Sequence, residues 1–211
     1  GAAPGSTLYV ALVQKIDKGW HTYWRNPGDA GEATEIAWTL PPGWKAGDIV
    51  WPAPSRLPVG PLMNYGYTNQ VLLPVALSGI GAGALEVRLH ATWLVCEKLC
   101  VPEEGDFHLS LPAGAATPSP QAPLFAAAAE ATPRPAPWPA TITPDGTLHV
   151  AAPEAAAAAR AAGFIPDSFG AVQAAAPQTL SVSPDGFALA LRTGSDFKPA
   201  AALSGVLVLR D

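Results

Sequence analysis

The chain has 211 residues with 12 Lys+Arg against 17 Asp+Glu, a formal charge of −5, and is 49% hydrophobic but only 14% charged. That balance excludes a disordered chain, and without a Lys/Arg cluster it also excludes a nucleic-acid binder. The 20 Gly and 24 Pro residues argue against a mostly helical protein, because both residues end helices, and favour an all-β chain rich in turns.

No run of 18 apolar residues occurs, so no segment reads as a transmembrane helix. The opening Gly1-Ala2-Ala3-Pro4, without an initiator Met, fits a processed protein or a piece of a longer one. Strands are predicted at Leu8–Ile16, Glu35–Leu40, Val71–Leu77, Leu85–Val95 and Phe107–Leu111. In the fourth of these, Leu85, Val87, Leu89 and Ala91 alternate with Glu86, Arg88, His90 and Thr92, the period-2 pattern of a half-buried strand. Arg25–Ala33, Pro41–Asp48 and Pro52–Asn69, rich in Gly and Pro, read as long loops. From Ala113 to Ala140 the composition shifts to a Pro/Ala-rich connector, in which Pro123–Ala131 reads as a short helix. Pro133, Pro135, Pro137 and Pro139 then impose an extended path.

Beyond the connector, Thr143-Pro144-Asp145-Gly146 and Ser183-Pro184-Asp185-Gly186 read as hairpin turns with Gly at the left-handed position. Glu154–Ala162 reads as an Ala-rich helix stopped by Gly163, and Val206–Leu209 as a terminal strand. The expected architecture is two β-sandwich domains, 1–112 and 141–211, joined by the connector 113–140.

The only two cysteines, Cys96 and Cys100, lie in Trp93-Leu94-Val95-Cys96-Glu97-Lys98-Leu99-Cys100-Val101-Pro102. On an extended strand their Cα atoms would be about 13 Å apart at roughly 3.3 Å per residue. A disulfide needs less than about 7 Å, so Glu97–Leu99 must form a tight turn or one turn of helix, and a strand-to-strand tip suits the flanking apolar runs better. As a staple the bond would be poor. Closing so short a loop stabilises by about 2 kcal/mol in the chain-entropy model, against about 4.7 for a hundred-residue loop. Lys98 between the thiols favours a thiolate and Glu97 partly cancels that effect.

Redox exchange, a structural bridge and a metal site all remain open from these residues. CxxxC supplies two soft ligands, enough for Cu(I) but short of the four of a structural zinc site. His90 and His108 flank the pair in sequence, but His90 falls on the polar phase of its strand, and the single Met63 gives no methionine-rich copper signal. No GxSxG, HExxH, Walker loop or dinucleotide fingerprint occurs.

Four segments in order carry a family resemblance: Gly19-Trp20-His21-Thr22-Tyr23-Trp24-Arg25-Asn26-Pro27-Gly28-Asp29-Ala30-Gly31, Trp51-Pro52-Ala53-Pro54, Tyr65-Gly66-Tyr67, and Leu94 through Glu103 around the cysteines. Together they resemble the periplasmic amino-terminal region of the DsbD-like thiol:disulfide interchange proteins, nearest to the suppressor-of-copper-sensitivity branch. Leu203-Ser204-Gly205-Val206-Leu207-Val208-Leu209 extends the resemblance almost to the end of the chain. Three residues between the cysteines, where DsbD has five, also favour the copper branch.

The resemblance implies immunoglobulin-like folding and a periplasmic module of a longer, membrane-tethered chain. It implies that reducing equivalents pass from a membrane electron-transfer domain to a thioredoxin-fold disulfide isomerase or reductase, with no cofactor. Cys96 and Cys100 would be the redox pair. Tyr65 and Met63 would belong to a cap over it, the usual cap aromatic being replaced by Asn64. His21 and Tyr23 would line the site, Lys98 joins them from its own position between the thiols, and Trp20, Trp24 and Trp51 are read as core.

Overall fold

The computed structural model describes residues 7–80, 83–114 and 119–210. Its elements in chain order are β1 (Thr7–Lys15), β2 (Thr22–Gly28), β3 (Glu35–Thr39), β4 (Trp44–Ile49), β5 (Ser55–Val59), β6 (Leu62–Tyr67), β7 (Gln70–Gly79), β8 (Leu85–Cys96) and β9 (Cys100–Leu111). Helix α1 (Ala122–Ala131) follows, then β10 (Ala140–Ile142), β11 (Thr147–Val150), α2 (Pro153–Ala158), β12 (Ala161–Pro166), β13 (Thr179–Ser183), β14 (Gly186–Ala190) and β15 (Gly205–Arg210). The architecture is mostly β, with two short helices among the described residues.

Contacts divide the chain into two compact units. The first takes the described residues of Gly1–Arg25, Glu32–Ser55 and Gly66–Pro133; the second takes Asn26–Gly31, Arg56–Tyr65 and the described residues of Arg134–Asp211. Helix α1, expected inside a connector, thus groups with the first unit, and Ala53 donates a backbone hydrogen bond of 2.8 Å to its Ala131 carbonyl.

In the first unit the antiparallel sheets β1-β7-β4 and β3-β8-β9 share a core of Val10, Val75, Leu77, Leu85 and Val87, with Ile36, Trp38 and Trp44 packed against it. This is a β-sandwich, and its strand patterns follow from position. Strand β7 is central, so Val71, Leu72, Leu73, Pro74 and Val75 form an unbroken buried run. Its Pro74 removes a donor from the ladder at the point where β4 bulges between Ala46 and Ile49.

Four strands, β2, β4, β5 and β6, fall wholly or partly in segments that read as loops because of their Gly and Pro content. The sheet order β2-β6-β5 explains two of them: β2 and β5 are edges, where the missing N–H of Pro27 or Pro58 does not disrupt a ladder. Gly66 of β6 is demanded by proximity, since a Cβ there would lie 1.9 Å from the Thr22 carbonyl oxygen. Strand β9 begins seven residues earlier than expected. Its first half is polar, but β8 templates it through a continuous register from Cys96↔Cys100 to Leu85↔Leu111.

In the second unit the sheet β10-β11-β14-β13 and the pair β12–β15 enclose Leu148, Val150, Phe164, Val172, Phe187, Leu189 and Leu191, with Ala152 and Ala156 beside α2. The turn at Thr143–Gly146 has Gly146 at φ +90°, and a Cβ there would meet the Leu191 carbonyl oxygen at 2.5 Å. Helix α2 ends at Ala158, four residues short of expectation. Ala161 and Ala162 instead begin β12, so Gly163 lies mid-strand opposite Val208 rather than stopping a helix. A short Ala helix without a side-chain cap is marginal, and pairing with β15, which buries Phe164 and Ile165, prevails over intrinsic propensity.

Leu77 is fully buried and Leu99 is 78% exposed. Leu77→Ala is expected to destabilise by about 3 kcal/mol and Leu99→Ala by less than about 0.5 kcal/mol, read by urea denaturation followed by circular dichroism. Equal losses would contradict this placement of the core.

Candidate functional site

The twelve-residue strands β8 and β9 form a hairpin whose last pair is Cys96 opposite Cys100, leaving Glu97-Lys98-Leu99 as the tip. The turn brings the two Cα atoms to 4.1 Å and the sulfurs into a disulfide. The strand-to-strand tip is therefore the geometry adopted. Within it the Glu97 N–H donates to the Leu99 carbonyl at 3.2 Å.

A third segment holds the tip in place. His21, just ahead of β2, exchanges two backbone hydrogen bonds of 2.9 Å with Cys96, N–H to carbonyl in each direction. From there the period of two along the strand decides which side chains meet the sulfurs. His21 and Tyr23 share a face, and Thr22 and Trp24 take the other. The His21 and Tyr23 rings meet edge-on, with centroids 5.1 Å apart, and His21 Nε2 lies 3.2 Å from Tyr23 Oη. Tyr23 Oη in turn lies 3.8 Å from Cys100 Sγ.

On the opposite face Thr22 donates to Gln14 Oε1 at 3.0 Å, and Gln14 Nε2 donates to Thr34 Oγ1 at 3.0 Å. All three are buried, so their polar groups satisfy one another out of water and tie β2 to its surroundings. Nothing in one sequence marks Gln14 or Thr34, because a buried Gln and an exposed one look alike until the register is known.

The two cysteines differ in access. Cys96 is 3% exposed, whereas Cys100, Glu97, Lys98 and Leu99 are all exposed. Burial lowers the basicity of His21, which favours its neutral form, and raises the pKa of the Tyr23 hydroxyl, which keeps its proton. Lys98 stands on the exposed tip.

Of the residues singled out in sequence, the fold brings Cys96, Cys100, His21 and Tyr23 together in the first unit. Met63 and Tyr65 are counted in the second unit. There Met63 is half-buried on β6, its N–H donates to the Asp29 carboxylate at 2.8 Å, and its carbonyl accepts from the Asp29 N–H at 3.0 Å. Tyr65 is 1% exposed, and burial, partly offset by Arg56, pushes its hydroxyl pKa up to about 12. Trp24 is fully buried with the Arg25 guanidinium 4.7 Å from its ring centre, while Trp20 and Trp51 are half-buried.

His90 and His108 lie on the outer face of the β8–β9 hairpin. His90 Nδ1 is 2.9 Å from Asp106 Oδ1, and His108 pairs with Glu86. Among the described residues no group of three or more His, Cys, Asp or Glu side chains is arranged to hold a metal ion.

No curated protein matches the sequence. The chain is similar in structure to the N-terminal periplasmic domain of ScsB from Proteus mirabilis, with a TM-score of 0.68 and 22% identity over 98% of this chain and 85% of that one. That likeness establishes the fold. A family model described as the N-terminal part of the thiol:disulfide interchange protein DsbD matches residues 2–112, more than half of the chain and the part that contains both cysteines. The chain therefore belongs to the DsbD N-terminal domain family, as a thiol–disulfide interchange module with Cys96 and Cys100 as its cysteine pair.

Proposed function

We propose that this chain is the periplasmic portion of a longer, membrane-tethered protein and acts as a thiol:disulfide oxidoreductase. It receives reducing equivalents from that protein's membrane electron-transfer domain and passes them to a thioredoxin-fold disulfide isomerase or reductase, in a pathway tied to copper tolerance. The observation that carries this reading is the Cys96–Cys100 disulfide at an exposed hairpin tip, with one cysteine buried and the other open. The description of the ScsB fragment as a periplasmic domain supports the compartment. In this reading residues 1–112 are the redox-active immunoglobulin-like domain. Residues 113–140 connect it to a second such domain, 141–211, which serves as a spacer or docking module.

Access sets the order of events. In the reduced form the Cys100 thiolate attacks the partner's disulfide. A Cys100–partner S–S bond forms, the partner's bond breaks, and the partner's first sulfur leaves as a thiolate that takes up a proton. The Cys96 thiol then gives up its proton and attacks Cys100 Sγ. The intramolecular disulfide forms and the partner's second sulfur departs reduced. Two electrons have moved to the partner, and the membrane domain returns two to the pair. No cofactor is needed because the electrons travel in the S–S bond itself. Met63 and Tyr65 are assigned to the cap that controls access, and Lys98 to partner recognition on the open tip.

Cys96→Ala is expected to accumulate a mixed disulfide with the thioredoxin-fold partner, seen as a reducible adduct on non-reducing gels, while Cys100→Ala forms at least tenfold less. Equal trapping by both variants, or none by either, contradicts this assignment. A five-residue loop closure is worth about 2 kcal/mol, so reduction is expected to lower the melting temperature by no more than about 8 °C. The pair's reduction potential should lie above about −300 mV; a lower value marks an inert structural bond and defeats the redox reading.

A further inference from the structure

We propose that His21, acting through Tyr23, stabilises the thiolate of Cys100 by a directed chain of hydrogen bonds, His21 Nε2–H to Tyr23 Oη and Tyr23 Oη–H to Cys100 Sγ. The inference deepens the redox reading above and rests on it for its biological meaning, though not for its chemistry.

In the disulfide, Cys100 Sγ carries no hydrogen, so a hydrogen bond across its 3.8 Å contact with Tyr23 must be donated by the tyrosine. A phenol has one proton. Once it points at sulfur, the 3.2 Å contact between Tyr23 Oη and His21 Nε2 can be filled only by a proton on Nε2. Burial favours neutral imidazole at His21 and protonated phenol at Tyr23, so each group carries the one proton the chain requires.

Reduction strengthens the arrangement. A thiolate at Cys100 is a charged acceptor, and hydrogen bonds to charged groups exceed those to neutral ones. The donors lie in a buried, low-dielectric setting, where linked hydrogen bonds polarise one another. The charged side chains of the tip, Glu97 and Lys98, are both exposed, so water screens them and leaves the buried pair as the stronger influence on the sulfur. Position is set by backbone: the reciprocal His21–Cys96 hydrogen bonds register β2 against the tip, which delivers Tyr23, two residues on, to the same face as His21. Tyr23 touches the reacting sulfur; His21 is a positioning residue that orients the Tyr23 hydroxyl proton.

The test uses the protein with Cys96→Ala, which leaves Cys100 as its single thiol, and reads the thiolate fraction at pH 7 from ultraviolet thiolate absorbance. Tyr23→Phe is expected to lower that fraction about fivefold or more, corresponding to the loss of one hydrogen bond. His21→Phe is expected to lower it about twofold when Tyr23 is present and not at all when Tyr23→Phe is already in place. His21→Gln, which keeps an N–H donor, is expected to restore most of the loss. Nitrogen NMR of the reduced protein without these substitutions should find the His21 proton on Nε2. The same thiolate fraction with and without Tyr23, an undiminished His21→Phe effect in the Tyr23→Phe background, or a His21 proton on Nδ1 alone would each overturn the chain. The NMR result decides the matter even where a variant fails to fold. Normal thiolate shifts without partner trapping would refute the redox reading and keep the hydrogen-bond chain; normal trapping without shifts would do the reverse.

Discussion

Two backbone hydrogen bonds of 2.9 Å between His21 and Cys96 join the tip of one hairpin to the start of a strand far away in sequence, and the candidate site is built around that junction. The junction is made at Cys96, the buried member of the pair, while Cys100 faces out. A strand's period of two then leaves little freedom, because a bridge at His21 sends Thr22 toward Gln14 and Tyr23 toward the sulfurs. The buried Thr22–Gln14–Thr34 set resists any slip of that strand, since a shift of one residue would strand three polar groups away from partners.

The chemistry that follows needs few groups. Thiol–disulfide exchange moves electrons in the bond being exchanged, so a protein that performs it has to control which sulfur is reached and how readily that sulfur becomes a thiolate. The hairpin does the first by asymmetry of burial. The second belongs to the Tyr23 hydroxyl aimed at the sulfur and oriented by His21, because the exposed Glu97 and Lys98 act through water. A disulfide that closes so short a loop contributes little to stability, and it can therefore open and close without unfolding the sandwich that carries it. The core of Val10, Val75, Leu77, Leu85 and Val87 supplies that stability, and the tip residues Glu97–Leu99 take no part in it.

How far the fold was legible depended on whether a strand's surroundings were written in its own residues. Strand β8 carries its alternation openly, and the apolar run of β7 is that of a central strand. Strands β2 and β5 looked like loops because Pro27 and Pro58 break strands in general, and only the sheet order reveals that both lie on edges. The polar first half of β9 is a strand because β8 pairs with it, a property of the partner and not of Val101–Asp106. The Ala run near 154–162 erred the other way: its intrinsic preference is helical, and the apolar β15 claims its end.

The sequence alone determined the all-β class, the cysteine pair, the turn between the two sulfurs and the resemblance to thiol:disulfide interchange domains. Each of these is local, set by composition, by spacing over a few residues or by motifs read in order. Tertiary structure decided which cysteine is open, that His21 and Tyr23 reach the sulfur as a linked pair, and that Gln14 and Thr34 support the strand behind them. Those facts depend on register between segments some 75 residues apart, from His21 to Cys96, and register is fixed by pairing and burial in three dimensions, which the order of residues along one strand does not specify.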